Sequence, residues 1–151
     1  MGKLPTRFTT DWFTPHIRNW EKYLAEFKDN MNLNFLEIGS YERRSARWLL
    51  ENILSDKSST LTCINIFEPL QEEYTDVERS KFGFERAFEQ NVSCAFPEQV
   101  YTFKGLSYQK LEELPENNYD FVYVDGSHIT PITLEDAILS WWLLKSGSIV
   151  L

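Results

Sequence analysis

Cysteine is almost missing from this chain: there are two, Cys63 and Cys94, in 151 residues. A disulfide framework needs more, and without a CxxC pair or a Cys/His cluster a structural zinc site is not expected either. Long apolar runs are also lacking. The stretch from Met1 to Asn19 carries scattered charges and no apolar block, so it reads as neither signal peptide nor membrane span. Together these absences lead us to expect a cytoplasmic protein with reduced thiols and no membrane partner. Basic residues are the minority, 15 Lys plus Arg against 23 Asp plus Glu for a formal charge of -8. No basic run is present to neutralise a phosphate backbone, so nucleic acid is not an expected partner. Internal repeats are absent. So is a Gly-x-Ser-x-Gly elbow, and neither cysteine has a visible partner, which leaves a nucleophilic hydrolase without support.

What the chain does have is aromatic and aliphatic bulk. Aromatic residues make up 15%, with five Trp and eleven Phe, and 42% of the chain is hydrophobic, enough for one domain with a substantial core. Thr14-Pro15 has the form of an N-cap followed by proline at the first helical position. Ile17, Trp20, Leu24 and Phe27 then recur at helical spacing, predicting a helix to about Lys28. Asn34 to Ile38 is an apolar run too short for a helix and closed by Gly39-Ser40, so it reads as a buried strand. A helix is predicted from about Arg43 to Leu54, a strand over Leu61 to Phe67, and a helix over most of Glu72 to Gln90. Gln99 to Lys104 reads as a strand punctuated by Gly105, and Leu106 to Leu114 as a short helix. Asp120 to Val124 is the clearest strand. Thr130-Pro131 then opens a helix carrying Leu134, Ala137, Ile138, Trp141 and Leu144, ended by Gly147, and Ser148 to Leu151 begins a last strand. Trp141-Trp142 reads as packing, because adjacent helical residues face about 100° apart and one of them should meet the sheet. Trp20, Trp48, Phe82, Phe84 and Phe88 read as core residues, and the acidic stretch from Gln71 to Glu78 as a solvated face.

Strand and helix alternating in this way imply an α/β fold, a mainly parallel sheet with helices on both faces, because parallel neighbours need crossover connections of this length. Ligands of such sheets sit beyond the carboxyl ends of the strands. The residues there are Glu37, Gly39, Ser40, Tyr41 and Glu42 after the first strand, Asn65, Phe67 and Glu68 after the second, Gly105 and Ser107 after the third, and Asp125 to His128 after the fourth.

These positions carry a resemblance. Leu36-Glu37-Ile38-Gly39-Ser40-Tyr41-Glu42 with Arg44-Ser45-Ala46, Tyr123-Val124-Asp125-Gly126-Ser127-His128, and Leu143 to Leu151 resemble, in order and spacing, the first-loop, fourth-strand and fifth-strand motifs of class I S-adenosylmethionine-dependent methyltransferases, especially those acting on small molecules and sugars. The resemblance runs from about Asn34 to Leu151. It implies a Rossmann-like three-layer sandwich with five strands in the order 3-2-1-4-5, a helical extension over residues 1–32, and a methyltransferase domain over 33–151 that lacks its last strands. It further implies S-adenosylmethionine as cofactor, held by Glu37, Gly39, Ser40, Tyr41, Asn65, Phe67, Glu68, Ser107 and Asp125. Asp125 and His128 would then stand near the methyl-transfer site, with His128 suited to a general base by its ordinary pKa near 6.5. The expected substrate is a small molecule with a hydroxyl. Asp125 could also supply one carboxylate to Mg²⁺, at a site that would be incomplete in this chain, and no full metal-ligand set is expected.

Three departures from the family pattern keep other readings open. Arg43 replaces a second glycine, Asn65 stands where an acidic residue commonly accepts the ribose hydroxyls, and the sequence stops at Leu151. These favour a non-catalytic methyltransferase-like domain that binds a nucleotide-like ligand or a partner protein. A glycine loop after a strand also suits other nucleotide-binding α/β enzymes. At single residues, Glu37 could be a carboxylate satisfied by backbone N–H groups, Asp125-Gly126 a turn, and His128 a helix cap. A last strand left at the edge would be an exposed apolar one, for which self-association or a covering partner is the expectation.

Overall fold

The computed structural model describes residues 8, 11–40, 44–66 and 89–151. The motif residues Tyr41, Glu42, Arg43, Phe67 and Glu68, the predicted helix up to residue 88 with Phe82, Phe84 and Phe88, and the acidic stretch from Gln71 to Glu78 lie outside them.

The helical start belongs to Asp11 rather than Thr14. The Asp11 carboxylate accepts the Thr14 N–H at 2.9 Å, satisfying a donor that the first turn leaves unpaired. A tight turn, Thr14–His16, leads into α1 (Ile17–Tyr23), and a second turn, Ala25–Phe27, completes the segment. Trp20 and Leu24 are buried and Ile17 and Phe27 pack beside them, so the helical spacing of these four does mark the inward face.

Among the described residues five strands follow: β1 (Asn34–Ile38), β2 (Thr60–Asn65), β3 (Val100–Lys104), β4 (Tyr119–Val124) and β5 (Leu144–Val150). All pairings are parallel, in the order β3-β2-β1-β4-β5. Between them run α2 (Arg44–Asn52), a wide helical turn at Glu89–Ser93, α3 (Ser107–Glu112) and α4 (Thr130–Leu143). The order is the predicted one. Because strand side chains alternate between faces, two cores form. Phe35, Leu61, Cys63 and Phe121 pack with Trp20, Leu24, Leu49 and Leu54 of the α1 and α2 side. Leu36, Ile38, Ile64 and Val122 pack with Leu111 and Leu143 of the α3 and α4 side. Trp20 stands edge-on to Tyr123, ring centroids 4.7 Å apart, and 5.9 Å from Phe121; this fixes the N-terminal segment over β4. Gln99 donates from Nε2 to the carbonyls of Leu54, Asp56 and Ser59 at 2.9, 3.0 and 3.1 Å, tying the start of β3 to the turn before β2.

The last helix and strand differ from the sequence reading. On α4 the buried residues are Asp136, Ser140 and Leu143, whereas Trp141 is 70% and Trp142 65% exposed, and Leu134 and Ile138 are exposed too. Apolar residues occur on almost every side of α4, so their spacing does not select an inward face, and packing against α3 and the sheet decides it. Nor does Gly147 end the helix. The N–H groups of Asn117 and Asn118 donate to the carbonyls of Trp142 and Leu143 at 3.1 and 2.9 Å, and β5 begins directly at Leu144. Gly147, with φ of 84°, lies in an irregularity of β5 where the register jumps from Tyr119–Leu144 to Phe121–Ile149.

Candidate functional site

The carboxyl ends of β1, β2, β3 and β4 meet at one edge of the sheet, and a contact between two glycines divides that edge. The Gly39 N–H donates to Ile64 O and the Asp125 N–H to Ile38 O, each at 2.9 Å, so the tips of β1, β2 and β4 are laced together. A Cβ on Gly39 would lie 2.1 Å from Gly126 Cα and 2.2 Å from Asp125 O, at a φ of +83° that L side chains rarely adopt. Only glycine satisfies both constraints. The strand-to-helix turn thus presents bare backbone to the space above it.

On the α3 and α4 side of this contact lies a pocket of about 120 Å³. Gly39, Asn65, Ser107 and Gly126 contribute its polar and backbone surface, and Ile64, Ile66, Leu106 and Ile132 its apolar walls. Asp136 closes it from α4. That carboxyl is 1% exposed, and neither oxygen has a hydrogen-bond partner. Burial pushes its pKa above the ordinary carboxylate range; the Ser107 side chain opposes this and the charge of Glu135 adds to it. Ser40 is also buried, with an Oγ lacking a partner.

On the α1 and α2 side stand the ionisable groups. Tyr123 donates from its phenol to Asp125 Oδ2 at 2.9 Å. Burial holds the Tyr123 pKa far above its usual range, helped by the nearby charges of Asp125 and Glu37, so the phenol keeps its proton. Asp125 sits at the mouth of the site, exposed to solvent. Loss of water around its carboxyl raises its pKa, and the Tyr123 hydrogen bond and the positive charges available at His128 and His16 pull the other way. Glu37 is completely buried beneath the strand tip, where Ser45 donates to its Oε1 and Cys63 Sγ lies 4.0 Å from Oε2. Among the described residues, no group of three His, Cys, Asp or Glu side chains is placed to hold a metal ion, and Mg²⁺ finds no support.

The structure thus brings Gly39, Asn65 and Ser107 to one pocket, sets Asp125 and His128 on the opposite side of the glycine contact, and holds Glu37 and Ser40 buried at the tip of β1. Tyr41, Phe67 and Glu68 lie outside the described residues. Sequence reasoning missed Asp136 and Ile132, which reach the site from α4. No local signal marked the first, because apolar residues lie on almost every side of α4 and packing decides which face is buried.

The sequence pattern of a family described as a methyltransferase domain matches residues 36–151. Among curated proteins, none matches the chain. Among solved structures, a proposed rRNA methylase from Clostridium thermocellum superposes with a TM-score of 0.64 at 10% identity, over 89% of this chain and 65% of that one. A SAM-dependent methyltransferase from Thiobacillus denitrificans, solved with S-adenosyl-L-homocysteine, gives 0.58 at 15% identity, over 91% and 47%. The [4+2]-cyclase SpnF gives 0.57 at 13%, over 95% and 48%. The chain spans about half to two thirds of the length of these structures, and likeness at such identities concerns the fold.

Proposed function

Because the chain belongs to the methyltransferase-domain family, we propose that it is an S-adenosylmethionine-dependent methyltransferase whose acceptor is a hydroxyl of a small molecule or sugar. The observation that carries this reading is the glycine contact at the tips of β1 and β4, with a lined pocket on one side and the Asp125 carboxylate, held by the Tyr123 phenol, on the other. The pocket fits part of such a cofactor: bare backbone at Gly39, apolar walls for a ring, and polar side chains at Asn65, Ser107 and Asp136 to take part in hydrogen bonds. Gly39, Ser40, Asn65 and Ser107 are the residues that would hold it. When bound, S-adenosylmethionine supplies a methyl group on a sulfonium sulfur, activated for in-line displacement.

The chain's own residues then align an acceptor and take its proton. Tyr123 occupies Asp125 Oδ2, which orients the carboxylate and leaves Oδ1 to orient a hydroxyl. His128, exposed three residues further along the chain, is the group to receive the proton.

Isothermal titration with S-adenosylmethionine and S-adenosylhomocysteine, with ATP and NAD as controls, tests the cofactor. Release of S-adenosylhomocysteine in the presence of hydroxylated small molecules tests transfer. We expect micromolar binding of the first two ligands only, and a turnover lowered about 100-fold or more by His128→Ala with cofactor affinity retained. Absence of binding would overturn the reading. Binding without transfer would favour a non-catalytic domain, a second reading supported by the amide of Asn65 at the end of β2 in place of an acid.

A further inference from the structure

Neither the fold nor the proposed reaction accounts for the outward side of α4. Asp136, Ser140 and Leu143 face the protein. Opposite them Leu134, Ile138 and Trp141 follow one another at four and three residues, with Trp142 alongside, a spacing that lays them in one stripe along the helix. All four are more than half exposed, Trp141 at 70% and Trp142 at 65%. Between Thr130 and Leu143 the only exposed charge is Glu135, although the whole chain carries -8; aromatic residues with little charge among them are the composition of an interface core. The two indoles hold roughly 300 Å² of surface between them. With Leu134 and Ile138 the stripe comes to roughly 500 Å², near the top of the ~300–600 Å² of the largest apolar patch on an ordinary monomer. Where the stripe ends, at the C-terminus of α4, a cleft of about 440 Å³ opens. Trp141, Trp142 and Leu144 form its apolar wall, and residues 116, 117 and 145–148 supply the polar and backbone remainder.

We propose that a second copy of this chain covers the face, α4 packing antiparallel against the partner's α4 about a two-fold axis near Ile138. The stripe is self-complementary, as a two-fold contact requires. Its first half presents the exposed aliphatic side chains of Leu134 and Ile138, and its second half leads into the cleft. An axis near Ile138 sets Leu134 of each copy against the partner's Trp142, so each copy fills the cleft of the other. The area matches as well. A standard interface buries ~800 Å² per partner, and the ~65% apolar share of homodimers makes roughly 500 Å² of that apolar. The neighbouring edge of β5 is the weaker candidate for a partner, because it carries Lys145 and the register irregularity around Gly147, features that blunt an edge against strand pairing. With the net charge of each copy opposing association, the expected dissociation constant is on the order of 10 μM. In dilute solution the chain is then a monomer with the face bare, and substitutions on it leave folding stability nearly unchanged. None of this depends on the cofactor reading.

Analytical ultracentrifugation of the full chain, without ligand, tests the proposal. The average mass should climb from 17.9 kDa towards twice that value over roughly 1–200 μM. Ile138→Glu sets two carboxylates face to face on the axis and should weaken association about 100-fold or more. Tyr101→Glu, an equally exposed site on β3 at the opposite edge of the sheet, should leave it unchanged. Cross-linking reads the two-fold geometry. In a Cys94→Ser background, which removes the exposed thiol, Ile138→Cys should form a disulfide-linked dimer under mild oxidation. Leu134→Cys should link to a chain carrying Trp142→Cys and not to itself, since antiparallel helices hold two copies of position 134 about 12 Å apart, beyond disulfide reach. A wild type that stays monomeric at the top of the range overturns the proposal and leaves the face to a partner of another kind. A dimer that Ile138→Glu leaves intact overturns it too, as does one that Ile138→Cys does not cross-link, because either places the contact elsewhere. Should Ile138→Glu fail to fold, the cross-links decide. Failure here leaves the methyltransferase reading untouched, and failure to bind S-adenosylmethionine leaves this one untouched.

Discussion

Asp136 also sets a pH dependence that is independent of any ligand. Its carboxyl titrates above the ordinary value of 3.8 because burial disfavours the charged form. A folded state with the higher pKa binds the proton more tightly than the unfolded chain, so stability is lost as pH rises from about 3.8 through the folded value. The groups that modulate it are Ser107, which opposes the shift, and Glu135, which adds to it. Asp136→Asn has no charge to bury. We therefore expect the variant to melt at a higher temperature than wild type at neutral pH, with the gap closing as pH falls towards 3.8. Asp125, raised in the same direction, is present in both proteins and cancels from the comparison. Calorimetry from pH 3.5 to 8 measures it, and a gap that stays constant across the range would show that this carboxyl is not titrating as described.

At the scale of elements, α1 and α4 show when a pattern of apolar residues is informative. In α1 the polar residues Arg18 and Asn19 separate Ile17 from Trp20, and Glu21 and Lys22 follow, so one face alone can be buried and the sequence identifies it. In α4 the polar residues that line up, Thr133, Asp136 and Ser140, lie on the face that meets the protein, while two indoles face outward. The end of α4 was hidden for a related reason. Glycine is a common helix stop, but here the terminal carbonyls find the N–H groups of Asn117 and Asn118, a tertiary arrangement that local sequence does not encode. The strands were easier to read, because short apolar runs closed by Gly39 or Gly105 have few alternatives. The contrast between helices predicts a contrast in stability. Trp20→Ala, which empties a site 5% exposed among Phe13, Phe121 and Tyr123, should cost about 3–5 kcal/mol. Trp141→Ala, at 70% exposure, should stay within about 0.5 kcal/mol. Urea titrations give both numbers, and a large loss at Trp141 would mean that the outer face of α4 is covered in solution.

For the molecule as a whole, the fold and the site were legible to different degrees. Five alternations of strand and helix constrain the sheet strongly, since parallel neighbours with right-handed crossovers admit few orders. The site residues adjoining each strand in sequence, among them Gly39, Asn65, Ser107 and Asp125, could be located from the strands alone. Ile132 and Asp136 could not, because they reach the same place only after α4 has packed onto the sheet. A ligand bound there touches the tips of four strands and one helix at once, and so should stabilise the entire domain rather than one loop. At a concentration 100 times its dissociation constant, a ligand that binds only the folded state adds about 2.7 kcal/mol. For a chain of this size that corresponds to a rise in melting temperature of roughly 5–11 °C. S-adenosylhomocysteine should produce this rise, and ATP and NAD should not. Gly39→Ala must push a methyl group into Gly126, so it should lower the baseline melting temperature and remove the ligand-dependent increment as well. A Gly39→Ala protein that still gains the full increment would place the ligand away from the strand tips.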